Sequence, residues 1–276
     1  MAKVAKADLD RVSGYSSDEI FSIDEVNDLI SRREPLDSVK VIACGKNYMV
    51  CDRDVVFPNL EKVLGCLRVP PGIELVAPSL KSVDQCLRVD AGSFLDAPAL
   101  EKVGALTVHE GSSVRVPSLK EVSYNTLADI NSAVSAPALR KVGGTLDVFG
   151  TRVELPSLVS LGGLNLEMCS VSLSALKETS SSVRIRGDFE LDAPQLQKIG
   201  RSLYISDGVE YMTSTLRKIS GSLLMGEWSL LSAPRLRDIR GYLNVPGSAV
   251  LDAPALRMEN ARLCFALRVP FNSSPS

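Results

Sequence analysis

One short motif recurs along this chain at a nearly constant interval. The tetrads FPNL, APSL, APAL, VPSL, APAL, LPSL, LSAL, APQL, TSTL, APRL and APAL end at Leu60, Leu80, Leu100, Leu119, Leu139, Leu158, Leu176, Leu196, Leu216, Leu236 and Leu256. The spacings between them are 20, 20, 19, 20, 19, 18, 20, 20, 20 and 20 residues, so the chain is a tandem array of one unit. Nine of the eleven tetrads carry Pro two positions before the Leu, Ser174 and Ser214 being the exceptions, which marks the tetrad as a corner. Pro presets φ there and removes an N–H where no ladder bond is needed.

Within the unit, as in Leu139–Leu158 (LRKVGGTLDVFGTRVELPSL), an aliphatic residue follows three positions after the Leu, then often Gly, then an alternating apolar pair. Examples are Leu67/Val69, Leu87/Val89, Leu106/Val108, Leu146/Val148, Leu164/Leu166, Val183/Ile185 and Leu203/Ile205. Alternation over two apolar positions is the period of a strand with one buried side. A second apolar cluster, such as Val114/Val116, Val153/Leu155 or Val209/Tyr211, runs into the next corner.

A unit of this length cannot bury its own apolar side, but stacked copies can. The expected fold is therefore mainly β: a parallel β-solenoid of about eleven coils, right-handed by the general rule for parallel crossovers. At a strand spacing of about 4.8 Å such a stack extends roughly 50 Å. Two short strands and their turns leave no room for a long helix. With 45% hydrophobic but only 5% aromatic residues, the column must be filled by Leu, Val and Ile.

The unit LxxVGGxLxV closed by L-x-x-P-x-L resembles the leucine-rich-repeat solenoids, particularly the receptor-L-domain-like kind, and bacterial and phage repeats of the type LDAPALxxVGGxLxV. The resemblance covers about residues 36 to 267. It departs from the common leucine-rich repeat in lacking the Asn that follows the strand; His109, Phe149 and Glu167 stand near that place. It implies a binding scaffold and brings no catalytic residue with it.

Three regions follow. Residues 1–38 form a helical amino-terminal cap over the open end of the stack. Ser22-Ile23-Asp24-Glu25 reads as a capping box, Ile23, Val26, Leu29 and Ile30 as a helical stripe, and Pro35 lies beyond the helix end. Residues 39–270 are the solenoid, with a last strand at Leu263/Phe265, and 271–276 a disordered tail. Two units are irregular. The Leu119 unit shifts its apolar pair to Leu127/Ile130, and the Leu158 unit is two residues short.

The motifs of hydrolase, nucleotide, zinc and calcium chemistry are missing, and no cofactor, metal or small-molecule substrate is expected. The single histidine, His109, falls just outside a strand, reads as exposed, and has no orienting acid in the sequence pattern. Asp96, Asp192 and Asp252 recur in LDAP units and read as turn formers. The start MAKVAKADLD lacks a secretory pattern and no apolar run is long enough to span a bilayer, so the expected location is cytoplasmic, with no membrane contact. The six cysteines form no CxxC pair and are expected as free thiols; Cys66 and Cys86 would nevertheless be neighbours on adjacent coils.

Two surfaces carry the functional expectation. Outward positions of the long sheet vary freely, and Arg88, His109, Phe149, Arg184, Arg186 and Tyr204 are the candidate contacts for a protein partner. The second is a basic ridge one and two positions after the repeat Leu: Lys62, Lys81, Lys102, Lys120, Arg140, Lys141, Lys177, Lys198, Arg217, Lys218, Arg237 and Arg257. Glu61, Glu101, Glu121, Glu178 and Asp238 interleave with it, and the formal net charge is only −2. A nucleic acid or other polyanion on this ridge is the alternative reading.

Overall fold

A computed structural model describes residues 14–50, 53–257 and 261–263. The chain is 47% strand and 4% helix and winds into a parallel β-solenoid of about twelve turns. The turn beyond the expected eleven lies before the first tetrad, where Leu36, Val39, Val41 and Ile42 are buried as the repeat residues are. The tail 271–276, Phe265 and residues 1–13 lie outside the described residues.

A representative coil contains the strands Glu121–Val122, Thr126–Ala128 and Ala133–Ser135, the last running into the Ala136-Pro137 corner. Stacking assembles a nineteen-stranded sheet, a five-stranded sheet and a three-stranded sheet, and every strand pairing among the described residues is parallel. Partners are one unit apart, as in Leu67↔Leu87, Leu203↔Leu223 and Leu75↔Leu95. The first ten repeat leucines, Leu60 to Leu236, are at most 1% exposed, while Leu256 at the far end is only partly covered. Each fully buried leucine contributes about 2 kcal/mol of hydrophobic stabilisation, so the column as a whole holds the stack together.

Neighbouring coils approach so closely at the seam before the long strand that some positions accept only glycine. A Cβ on Gly104 would lie 1.8 Å from the Gln85 carbonyl oxygen, and one on Gly162 2.1 Å from that of Gly144. Further along the seam, side chains take over from the broken backbone ladder. Asn125 Oδ1 accepts from Thr145 N at 3.0 Å, Ser202 Oγ from Ser222 N at 3.0 Å, and Ser222 Oγ from Tyr242 N at 2.9 Å.

The cap contains the expected helix, α1 (Ile23–Arg32). Ser22 and Glu25 close the capping box, with Ser22 N donating to Glu25 Oε2 at 2.8 Å, and Val26 and Ile30 are buried. Arg33 ends the helix in the left-handed region at φ 57°. The cap also supplies a strand, β1 (Ile20–Ser22), which pairs in parallel with β2 (Val41–Val50), so the stack begins inside the cap.

The Leu119 unit does not shift its apolar pair. Its strand is Thr126–Ala128, with Thr126 and Ala128 buried, Leu127 facing outward and Ile130 exposed. Thr126 pairs with Leu106 on one side and Leu146 on the other. Register is set by the neighbouring coils, because a one-residue slip would turn the whole strand inside out; a hydroxyl is the lesser cost. The last strand, Arg262–Leu263, leaves Leu263 exposed at the end of the stack.

Cys66 and Cys86 are not free thiols. A disulfide joins them across adjacent coils, with Cα atoms 4.5 Å apart. Each stands one residue before the register partners Leu67 and Leu87, so the stack itself places their side chains opposite one another. Cys44 and Cys169 are unbridged and buried.

Candidate functional site

Because alternate residues of the long strand point inward, its remaining positions form two outward columns. One runs Arg68, Arg88, Thr107, Leu127, Asp147, Asn165, Arg184, Tyr204; the other, two residues on, runs Asp90, His109, Asp129, Phe149, Glu167, Arg186. The six expected contact residues all lie on this face, but the structure sorts them into two groups.

Arg88 and His109 belong to an internally neutralised cluster. Asp90, whose side chain is 5% exposed, accepts from Arg88 Nε and Arg68 Nε, each at 2.6 Å. Burial pushes its carboxyl up, but the two guanidinium hydrogen bonds outweigh that and hold it below the ordinary carboxylate range. His109 is neither exposed nor without acids. It is 27% exposed, with Nε2 3.9 Å from Asp90 and Nδ1 3.6 Å from Asp129. The coils before and after supply those carboxylates, which linear spacing within one unit does not reveal. No group of three or more His, Cys, Asp or Glu able to hold a metal occurs among the described residues.

Phe149, Arg184, Arg186 and Tyr204 form the second group. A small cleft of about 70 Å³ is lined by Phe149, Asn165, Leu166, Glu167, Arg184 and Arg186. The Arg184 guanidinium lies 4.8 Å from the centroid of the Tyr204 ring, a cation–π contact between register partners. Arg184 and Arg186 are exposed and make no ion pair with any described residue. Asn165 donates to Asp147, and its buried Oδ1 has no partner.

The irregular Leu158 unit makes this cleft. Between the strand pair and the second apolar cluster, Val148 to Val153 and Leu166 to Val171 are each one residue shorter than Val108 to Val114. The corner is pulled nearly straight, so Ser160–Ser172 runs as one strand with Met168 at φ 49°, and the ladder to the next coil shifts between Glu167 and Cys169. The next coil regains the residue at Gly187 (φ 57°), leaving the notch at Glu167 and Arg186. The count of residues per unit was the sequence signal for this site.

The basic ridge divides in a similar way. Position one after the repeat Leu stacks coil on coil through backbone bonds such as Lys81 N to Glu61 O (2.8 Å) and Arg237 N to Arg217 O (2.9 Å). Its first four members alternate in sign (Glu61, Lys81, Glu101, Lys120) and pair, Lys81 with Glu61 at 2.6 Å and Lys120 with Glu101 at 2.9 Å. Glu61 lies below its usual carboxylate range chiefly because of the hydrogen bond from Lys81. From Arg140 onward the same position holds no acid: Arg140, Val159, Lys177, Gln197, Arg217, Arg237, Arg257. Of the other ridge residues, Lys62 pairs with Asp84, Lys102 and Lys141 with Glu121, Lys198 with Glu178, and Lys218 with Asp238. The recurring aspartates of LDAP units also have partners, Asp96 meeting Arg115 and Asp192 and Asp252 accepting from Ser172 and Ser232.

Comparison with known proteins finds no family model, no curated protein and no solved structure that matches this chain. Among the described residues, no helix is long and apolar enough to cross a membrane.

Proposed function

We propose that this protein is a non-enzymatic repeat scaffold that binds another protein through the exposed face of its large parallel sheet, centred on Phe149, Arg184, Arg186 and Tyr204. The observation that carries the reading is the pair of exposed arginines with no acidic partner, set between two aromatic side chains at the edge of a cleft. Aromatic and Arg residues grouped on a rigid backbone are the usual anchors of a protein interface. Arg184 and Arg186 suit a carboxylate on the partner. Arg88 and His109 act as structural members of the same face, since Asp90 holds Arg88 and His109 sits between Asp90 and Asp129. The resemblance of the units to leucine-rich and bacterial or phage repeats supports the scaffold role. A cytoplasmic setting remains part of the proposal.

The test is affinity capture from the native cell with wild type, a Phe149→Ala/Tyr204→Ala variant and an Arg184→Glu/Arg186→Glu variant, each checked for unchanged melting. Recovery of the wild-type partner should fall at least tenfold in both variants and persist with Arg88→Ala. Equal recovery by all the proteins would remove this face from consideration.

A further inference from the structure

The column that starts at Arg140 is chemically unlike the remainder of the ridge. Arg140, Lys177, Arg217, Arg237 and Arg257 occupy the same position in five of seven consecutive coils, spread over six coil spacings, or ~29 Å. No described carboxylate lies within ion-pairing distance of any of the five. Arg217, Arg237 and Arg257 are exposed and sit on consecutive coils, joined by backbone bonds of 2.9 and 3.1 Å. Like charges carried one coil apart repel, and no described carboxylate forms an ion pair with any of the three. The amino-terminal half of the same column shows the alternative, because there each lysine has a glutamate beside it. Salt bridges thus neutralise the position-one column in the amino-terminal half, and none does so from Arg140 onward.

We infer that this line of five unpaired cations, separate from the aromatic–arginine patch, is a binding site for the backbone of a single-stranded nucleic acid. Four of the five are arginines, whose planar fork matches phosphate oxygens bidentately. The cations lie in single file along a corner of the stack, a geometry that a flexible strand can follow. A duplex presents its phosphates as two curved rails on either side of a groove about 12 Å wide, and one straight file meets them only at isolated points. At the head of the line a shallow groove of about 510 Å³, bounded by Pro117, Pro137 and Ala138 beside Lys120 and Arg140, gives a base an apolar surface. None of the groove residues is aromatic, so charge dominates, and binding is sequence-independent and strongly salt-dependent.

The experiment is fluorescence anisotropy of the full chain with a labelled oligothymidylate of about twenty nucleotides, between 20 and 200 mM salt. Five phosphate contacts give a log–log salt slope of about −3.5. Arg217→Ala/Arg237→Ala/Arg257→Ala should weaken binding at least tenfold at the lowest salt and reduce the slope by about 2, the share of three contacts. Lys81→Ala, which removes only a neutralised lysine outside the groove, should change neither. Absence of binding at 20 mM salt would overturn the inference, as would a matching loss with the lysine variant. Tighter binding of a duplex of equal length, or of a sulfated polysaccharide with none of the oligonucleotide, would also overturn it. Loss on Arg184→Glu/Arg186→Glu with the triple variant intact would move the activity to the other patch and end the proposal for this column.

Discussion

Arg88 Nε lies 2.6 Å from Asp90 Oδ1, two residues along the same coil, and Arg68 from the preceding coil closes on the other carboxylate oxygen at the same distance. One nearly buried carboxylate thereby ties two coils together. Asp90→Asn leaves two guanidinium groups without their counter-charge and should cost about 2 kcal/mol in urea unfolding. The pH dependence has a definite sign. Asp90 has a folded pKa below its ordinary value of 3.8, so its contribution is complete above that value and is lost as pH falls through the lower one. The wild type should lose this increment below pH 3.8, while the asparagine variant should show no such step.

Thr126 stands between Leu106 and Leu146 in the buried column, and its Oγ1 is buried without a hydrogen-bond partner. Valine has the same shape without the unsatisfied group. Thr126→Val should therefore stabilise the protein by about 1 kcal/mol, read as a higher urea midpoint at unchanged slope. A loss of stability would show that the hydroxyl is satisfied, for instance by an internal water.

The Cys66–Cys86 bond closes a loop one unit long. Peptide mapping without reductant should recover the two cysteine peptides as one species, two hydrogens lighter than their sum. Reduction, or Cys66→Ser with Cys86→Ser, should lower stability by about 3 kcal/mol through the greater freedom of the unfolded chain. Separate peptides from oxidised protein would refute the pairing.

At the cap, Lys40 Nζ lies 2.6 Å from Glu19 Oε1. The Glu19 carboxyl is lowered to about 2, first by the Lys40 hydrogen bond and then by the Ser16 backbone N–H. A depressed carboxylate stabilises the fold above its ordinary pKa of 4.5 and ceases to do so as pH falls toward 2. Carboxyl NMR titration should place Glu19 near 2 in the wild type and return it toward 4.5 in Lys40→Ala. A titration near 4.5 in the wild type would mean that the pair is open in solution.

The buried half of this protein was largely legible without coordinates. Leu100 and its equivalents repeat because each faces the same neighbours, so periodicity and burial are one fact seen twice. Thr126 shows where the reading failed: Leu127 and Ile130 looked like the better apolar pair, but a coil cannot change register alone between two that keep theirs. The outward face was legible only as a set of positions. That Arg184 and Arg186 are unpaired while Arg88 is not depends on which side chains close on each in space: Asp90 of its own coil on Arg88, Tyr204 of the next coil on Arg184.

From its order of residues alone, the chain determined a stack of parallel coils, the inward column and the glycine and proline corners, because these obey a local rule repeated in every unit. Tertiary structure decided the pairing of Cys66 with Cys86, the two acids beside His109, the cleft at Phe149 and which cations of the ridge are paired. Each of these is set by contact between residues about twenty positions apart. Charge and hydrogen bonding depend on distances of a few ångströms, which exist only after the coils are stacked.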